Sequence, residues 1–427
     1  MIKAVKKLIS SEGLQKSVFL VTASLSATFI SAIALIIFSR LLGPEKFGEF
    51  SVGVAIIFIL LKLTDLGSTQ ALLRFIPTQK TQDEKSKLFF QLSLWRGKLA
   101  LGVILIATIV GIFALKLGYS INPQILFGAI FITLILVVYE HLNFFLLSLG
   151  LIAQAALMNG AQALTKLLAA IVLTLIHLST TISSFVLYSL APLLGVISGI
   201  IYLPKWLNNF SLNSTKLSPA VTKFISHSAV GVIAAGVIEN ISVIQLNGMM
   251  NSYETGIFGG VSRISLFVVL GGSYLSQVLF PRVTQYTDHQ TQKKYLLKSL
   301  LFIGLVGIGF LVYWPLNKFA LQLTLGAEYL SGAKALLILM GAALAYAATI
   351  PLTALFYAGD KYWYFSFSGI VQILLVILGN LIAVPKWGLL GAAGVLLLTR
   401  GVILVLTGVL AFRDVFLYGN YMKGINK

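Results

Sequence analysis

Residues 17–39 read SVFLVTASLSATFISAIALIIFS, a stretch without a charged side chain. At 1.5 Å of rise per residue it is long enough, as a helix, to cross roughly 30 Å of hydrocarbon. Lys3, Lys6, Lys7 and Lys16 precede it, as basic residues precede a secretion signal. The apolar run, however, exceeds the roughly 7 to 15 residues of a signal core, and Arg40-Leu41-Leu42-Gly43-Pro44 after it lacks the small-residue cleavage pattern. It is therefore read as a retained first span. Ile2, Val5 and Ile9 lie at helical spacing opposite the lysines, so residues 2–12 suit a short interfacial helix.

Working outward, similar runs recur along all 427 residues. The chain is 58% hydrophobic and 10% charged, whereas a soluble domain is about a quarter charged. That excludes a soluble enzyme and a disordered tail, and leaves an all-α polytopic membrane protein. Twelve helices are expected, at 17–39, 49–72, 88–115, 125–148, 152–176, 183–203, 221–247, 257–280, 299–324, 332–357, 363–384 and 389–411. The formal charge of +18 raises the question of nucleic acid, but most of the Lys and Arg sit between the runs. With the N-terminus inside, cytoplasmic segments hold roughly 19 of them against roughly 6 outside, which puts both termini in the cytoplasm and requires no nucleic acid. There is no cysteine, hence no disulfide framework or thiolate metal site. No cofactor or metal is expected, and without GxxxxGK[ST] there is no P-loop for ATP.

A shift of 208 residues lays Gly48 on Gly256, Phe50 on Phe258 and Arg74 on Arg282. Six spans separate the copies, an even number, so the halves point the same way through the membrane. Two six-helix lobes around a central cavity are expected. The N-terminal lobe covers 17–205 and the C-terminal lobe 221–411. A basic segment 1–16, a linker 206–220 and a tail 412–427 lie in the cytoplasm.

Ionisable groups at bilayer depth cost at least about 2.5 kcal/mol on insertion scales, so each should face protein or water. Lys62 and Asp65, three apart on one helix face, read either as a local ion pair or as cavity groups. Asn159, Gln162 and Lys166 form a polar stripe along the fifth helix, suited to a water-filled lining. Arg96, Lys98, Lys166, Arg263 and Arg400 outnumber the acids Asp65, Glu140 and Glu239, giving a chamber with net positive charge. Such a chamber favours an anion, and phosphate or diphosphate is what paired N–H donors read best. Snorkelling to headgroups is the alternative for each cation. Glu239, Glu140 and Asp65 are the ion-coupling candidates, with a structural hydrogen bond or ion pair as the competing reading. Gly195 and Gly199 make a GxxxG face for packing.

Several stretches carry a family resemblance. Ser39-Arg40-Leu41-Leu42-Gly43-Pro44-Glu45-Lys46-Phe47-Gly48-Glu49-Phe50, Leu63-Thr64-Asp65-Leu66-Gly67 and Ala71-Leu72-Leu73-Arg74-Phe75-Ile76-Pro77 resemble the opening of polysaccharide biosynthesis proteins. These are the oligosaccharide flippases, O-antigen flippases among them, of the multidrug/oligosaccharidyl-lipid/polysaccharide exporter superfamily. Leu325-Gly326-Ala327-Glu328-Tyr329 and Pro385-Lys386-Trp387-Gly388-Leu389-Leu390-Gly391-Ala392-Ala393 resemble the C-terminal part of the same family. The resemblance implies no enzyme but a pair of lobes moving a polyprenyl-diphosphate-linked oligosaccharide across the cytoplasmic membrane by alternating access. It also implies association with polysaccharide polymerase and glycosyltransferases. An ion gradient or the membrane potential would drive the cycle. A cation-coupled multidrug or small-metabolite antiporter of the same fold is the alternative, and an acid-dominated cavity would mark it.

Overall fold

The computed structural model describes residues 12–209, 216–283, 289–358 and 363–418, and among the described residues there is no strand. The interfacial helix expected at 2–12 lies outside them but for Glu12. In chain order the helices are α1 Glu12–Asp65, α2 Ser68–Phe75, α3 Gln82–Lys116, α4 Pro123–Ser148, α5 Ile152–Leu175, α6 Thr181–Leu190, α7 Pro192–Ile201, α8 Pro219–Met249, α9 Ser252–Val283, α10 His289–Thr324, α11 Ala333–Ala358 and α12 Trp363–Arg413.

Among the described residues, ten stretches are long and apolar enough to cross a membrane. Two of them, Leu25–Asp65 and Trp363–Phe416, have 41 and 54 residues, far more than one crossing needs. Each is broken at a glycine in a conformation that side chains disfavour: Gly43 (φ 67°, ψ 171°) and Gly388 (φ 52°, ψ −133°). Each therefore supplies two spans, which accounts for the twelve apolar runs and makes this a multi-pass membrane protein. Two expected spans are subdivided. The run 49–72 stops being α1 at Asp65, where Leu66 (φ 43°) and Gly67 (φ 99°) turn the chain into α2. The run 183–203 splits into α6 and α7 at Pro192, whose ring fits a first helical turn but not an interior.

The chain forms two compact units. Unit 1 holds the described residues up to Leu42 together with Glu49–Asn240; unit 2 holds Gly43–Gly48 and the described residues from Ile241 onward. In unit 1, α4 is the central helix and packs against α2, α3, α5, α6 and α7. It starts on Asn122, whose side chain accepts from Gln124 N, followed by Pro123 in the first turn. Lipid is as apolar as these side chains, so close packing rather than exclusion from water holds such helices together. Small residues permit it: Ala129, Ala155, Ala163 and Ala170 are fully buried, and a Cβ on Gly199 would meet Met158 Cε at 2.7 Å. In unit 2, α11 takes the central place, packed against α9, α10 and α12 with Ala335, Leu336 and Leu339 buried.

The 208-residue shift is written into this geometry. It lays α3 on α10 and α4 on α11 to within two residues at each end, so the central helices of the two units are equivalents. It also lays Gly118 (φ 83°), just past α3, on Gly326 (φ 98°), just past α10. A glycine at positive φ thus follows both copies of the helix.

Candidate functional site: a ring of buried charges and two buried cations

The last turn of α1 puts Lys62 and Asp65 on one face. They do not close on each other. Asp65, fully buried, caps the N-terminus of α2: its Oδ1 accepts from Ser68 Oγ (2.7 Å) and Thr69 N (2.9 Å), and its Oδ2 from Thr69 Oγ1 (2.9 Å). Arg96 of α3 lies beside it, with one guanidinium nitrogen 3.9 Å from Asp65 Oδ1. The other donates to Glu140 Oε2 of α4 at 2.6 Å, while Lys62 Nζ donates to Glu140 Oε1 at 2.6 Å. Positive and negative groups thus alternate, Lys62, Glu140, Arg96, Asp65, around a ring that a single helical turn completes. Pairing is what makes four charges tolerable at this depth, since an uncompensated one would carry its whole desolvation penalty.

Arg96 is 1% exposed, Glu140 14% and Lys62 28%, so the ring opens on the Lys62 side. The Arg96 Nε and its second terminal nitrogen have no hydrogen-bond partner among the described residues. Beside the ring, His141 joins Ser93 Oγ through Nε2 (2.8 Å) and lies against Phe89. Lys98, two residues on from Arg96, is exposed and takes no part. Arg96, counted towards a positive chamber, and Lys62 are therefore balanced by Glu140 and Asp65.

The stripe on α5 divides. Asn159 and Gln162 turn to α4: Tyr139 OH donates to Asn159 Oδ1, and Gln162 Nε2 donates to Tyr139 OH at 2.9 Å. Asn143 Nδ2 adds a bond to the Ala155 carbonyl at 3.1 Å. Lys166, 8% exposed, instead sits with Nζ 4.6 Å above the Tyr188 ring, and among the described residues no carboxylate pairs with it. Tyr188 is held in place by Phe38 and Phe50, whose stacked rings lie 5.8 and 5.3 Å from it.

In unit 2, Arg400 of α12 is 8% exposed. It donates to Gln372 Oε1 (3.1 Å), and its guanidinium lies 4.5 Å over the Tyr346 ring. Arg263 on α9 is half-buried, as is Glu239 on α8 in unit 1, and neither is without a partner. Asn380, fully buried, donates to Ser242 Oγ and Gln245 Oε1, both at 2.9 Å, tying α12 to α8 within unit 2. Sequence reading missed Tyr139, Tyr188, Tyr346 and Gln372, whose polar edges or ring faces hold the residues it did find. Their signal was weak, because isolated aromatics in an apolar span read as packing.

The folds of transporters and flippases supply the comparison. A structure of the lipid II flippase MurJ, inward closed, superposes with a TM-score of 0.70 at 14% identity, over 96% of this chain and 92% of that one. An inward-facing multidrug resistance MATE family transporter of the MOP superfamily gives 0.68 at 15% identity, covering 92% and 98%. The MATE multidrug transporter DinF-BH gives 0.57 at 18% identity, covering 92% and 96%. At these identities the likeness defines the class of fold alone. Among curated proteins none matches this sequence. The model of the polysaccharide biosynthesis protein family matches residues 14–287, well over half of the chain, and the chain belongs to that family.

Proposed function

We propose that the protein is a flippase that moves a polyprenyl-diphosphate-linked oligosaccharide across the cytoplasmic membrane for cell-surface polysaccharide synthesis. In this reading the two lobes, residues 17–205 and 221–411, alternate access to the two leaflets under an ion gradient or the membrane potential, with both termini cytoplasmic. Family membership supports the pathway class. The observation that carries the substrate class is Lys166, a buried cation resting on an aromatic face with no carboxylate partner among the described residues. Holding such a charge is costly, and an incoming oxyanion with several acceptor oxygens lowers that cost through charge-assisted hydrogen bonds. Arg400, buried beside Gln372 and the Tyr346 ring, carries a planar guanidinium of the kind that suits phosphate. Engagement of Glu140 by two cations favours this reading over a drug antiporter built on that carboxylate.

The test is reconstitution into proteoliposomes with a short oligosaccharide on a polyprenyl diphosphate. Accumulation of substrate in the opposite leaflet supports the reading. Absence of flipping, together with cation efflux that requires Glu239 or Glu140, contradicts it and moves the chain to the exporters.

A further inference from the structure

The donors around Glu140 outnumber the bonds that its carboxylate takes. Its two oxygens each take one short bond, from Lys62 Nζ and from one terminal nitrogen of Arg96. Lys62 has two further N–H donors. The Arg96 Nε and other terminal nitrogen lack a hydrogen-bond partner among the described residues although the side chain is 1% exposed, the nearest acid, Asp65, standing 3.9 Å away and committed to the cap of α2. A guanidinium so placed has donor capacity that a two-oxygen ligand leaves unused, and a diphosphate has the oxygens to take it. Glu140 and Lys62 are the more exposed members of the ring, so a ligand reaches the seat by displacing Glu140 while Asp65 stays in its cap.

From this we infer that Glu140 is an internal counter-ion, a placeholder that holds Lys62 and Arg96 as an anion seat until a diphosphate displaces it. The inference rests on the flippase reading for the identity of the diphosphate and not for the existence of the seat. It gives Glu140 a positioning role. Its carboxylate keeps the two cations aligned and competes with the ligand, and on displacement the ligand bridges α1 and α3 while the tie of both helices to α4 is released. An ordinary structural ion pair would align the cations but would not give way to a ligand.

Binding of inorganic pyrophosphate to the purified full-length protein in detergent, by calorimetry, tests this. Glu140→Gln is expected to raise pyrophosphate affinity at least tenfold over the parent, and adding Lys62→Gln is expected to remove the gain. If Glu140→Gln fails to fold by circular dichroism and gel filtration, Glu140→Asp, one methylene shorter, carries the same test with a smaller gain of the same sign. Unchanged or weaker affinity in a folded variant, or a gain that survives Lys62→Gln, overturns the inference. Displacement of pyrophosphate by farnesyl diphosphate but not by short-chain phosphatidylglycerol supports a diphosphate seat; the reverse order assigns it to a lipid headgroup and overturns the assignment. A gain in affinity in a protein that does not flip would leave the seat standing and remove the flippase reading; flipping without the gain would do the opposite.

Discussion

Gly48 and Gly256, equivalent under the 208-residue shift, pack backbone to backbone within unit 2. A Cβ on Gly256 would fall on the Pro44 carbonyl, and one on Gly48 would fall on the Ser252 carbonyl. Pro44 and Ser252 are themselves related by the same shift, so the contact is reciprocal. Two copies of one motif meet here with no room for a side chain between them.

Either Gly48→Val or Gly256→Val is therefore expected to destabilise the fold by at least about 3 kcal/mol, since backbone cannot yield as a side-chain tip can. Gly304→Ala, in α10 with nothing within 4 Å of the new Cβ, is expected to be neutral or to stabilise by up to about 1 kcal/mol through helix propensity. Thermal unfolding in detergent, followed by circular dichroism, separates the two classes.

Within the charge ring, position decides cost. Arg96→Leu takes the cation away from beside the buried Asp65 and leaves Glu140 with Lys62 alone, and is expected to cost about 3–5 kcal/mol. Lys62→Leu removes a partner that is 28% exposed and leaves Glu140 with Arg96, so about 1 kcal/mol is expected. Equal losses for the two variants in the same unfolding assay would contradict the ring.

At the other break, Glu254 Oε2 accepts the Leu389 N–H at 2.9 Å, just after left-handed Gly388. Glu254→Ala is expected to cost about 1 kcal/mol as a lost cap. Gly388→Ala is expected to cost about 1–3 kcal/mol through backbone strain, plus the clash of its Cβ with the Glu254 carboxylate. The double variant should cost less than the sum, because removing Glu254 relieves the clash while the strain persists. Chemical unfolding of the three variants in detergent measures the difference.

Tyr188 serves Lys166 through its ring face. Tyr188→Phe is expected to leave stability unchanged, and Tyr188→Leu to lower it by about 0.5–2 kcal/mol, with most of that loss absent in a Lys166→Met background. A double-mutant cycle in detergent reads the coupling directly.

How much of this was legible follows from the range of each signal. The spans are set by local composition, and the turns at Gly43 and Gly388 fall in gaps between the apolar runs. The end of α1 at Asp65 was hidden because Leu66-Gly67 interrupts the helix without interrupting hydrophobicity, although Asp65, Ser68 and Thr69 together spell a cap. Lys62 and Asp65 were visible as a pair at helical spacing. Their partners were not, because Arg96 and Glu140 come from α3 and α4 and no periodicity within α1 points to them. Lys166 and Arg400 stood out as charges inside apolar runs, whereas the rings beneath them, Tyr188 and Tyr346, looked like any other aromatic residue in a span.

The most direct measurement is the initial flipping rate in proteoliposomes for one oligosaccharide carried either on a polyprenyl diphosphate or on the corresponding monophosphate, by the parent and by Lys166→Ala. The expected result is a parent that favours the diphosphate at least tenfold and a folded variant that loses that preference. A parent indifferent to the second phosphate, or a Lys166→Ala variant that keeps the full preference, would contradict recognition of the diphosphate by the buried lysine.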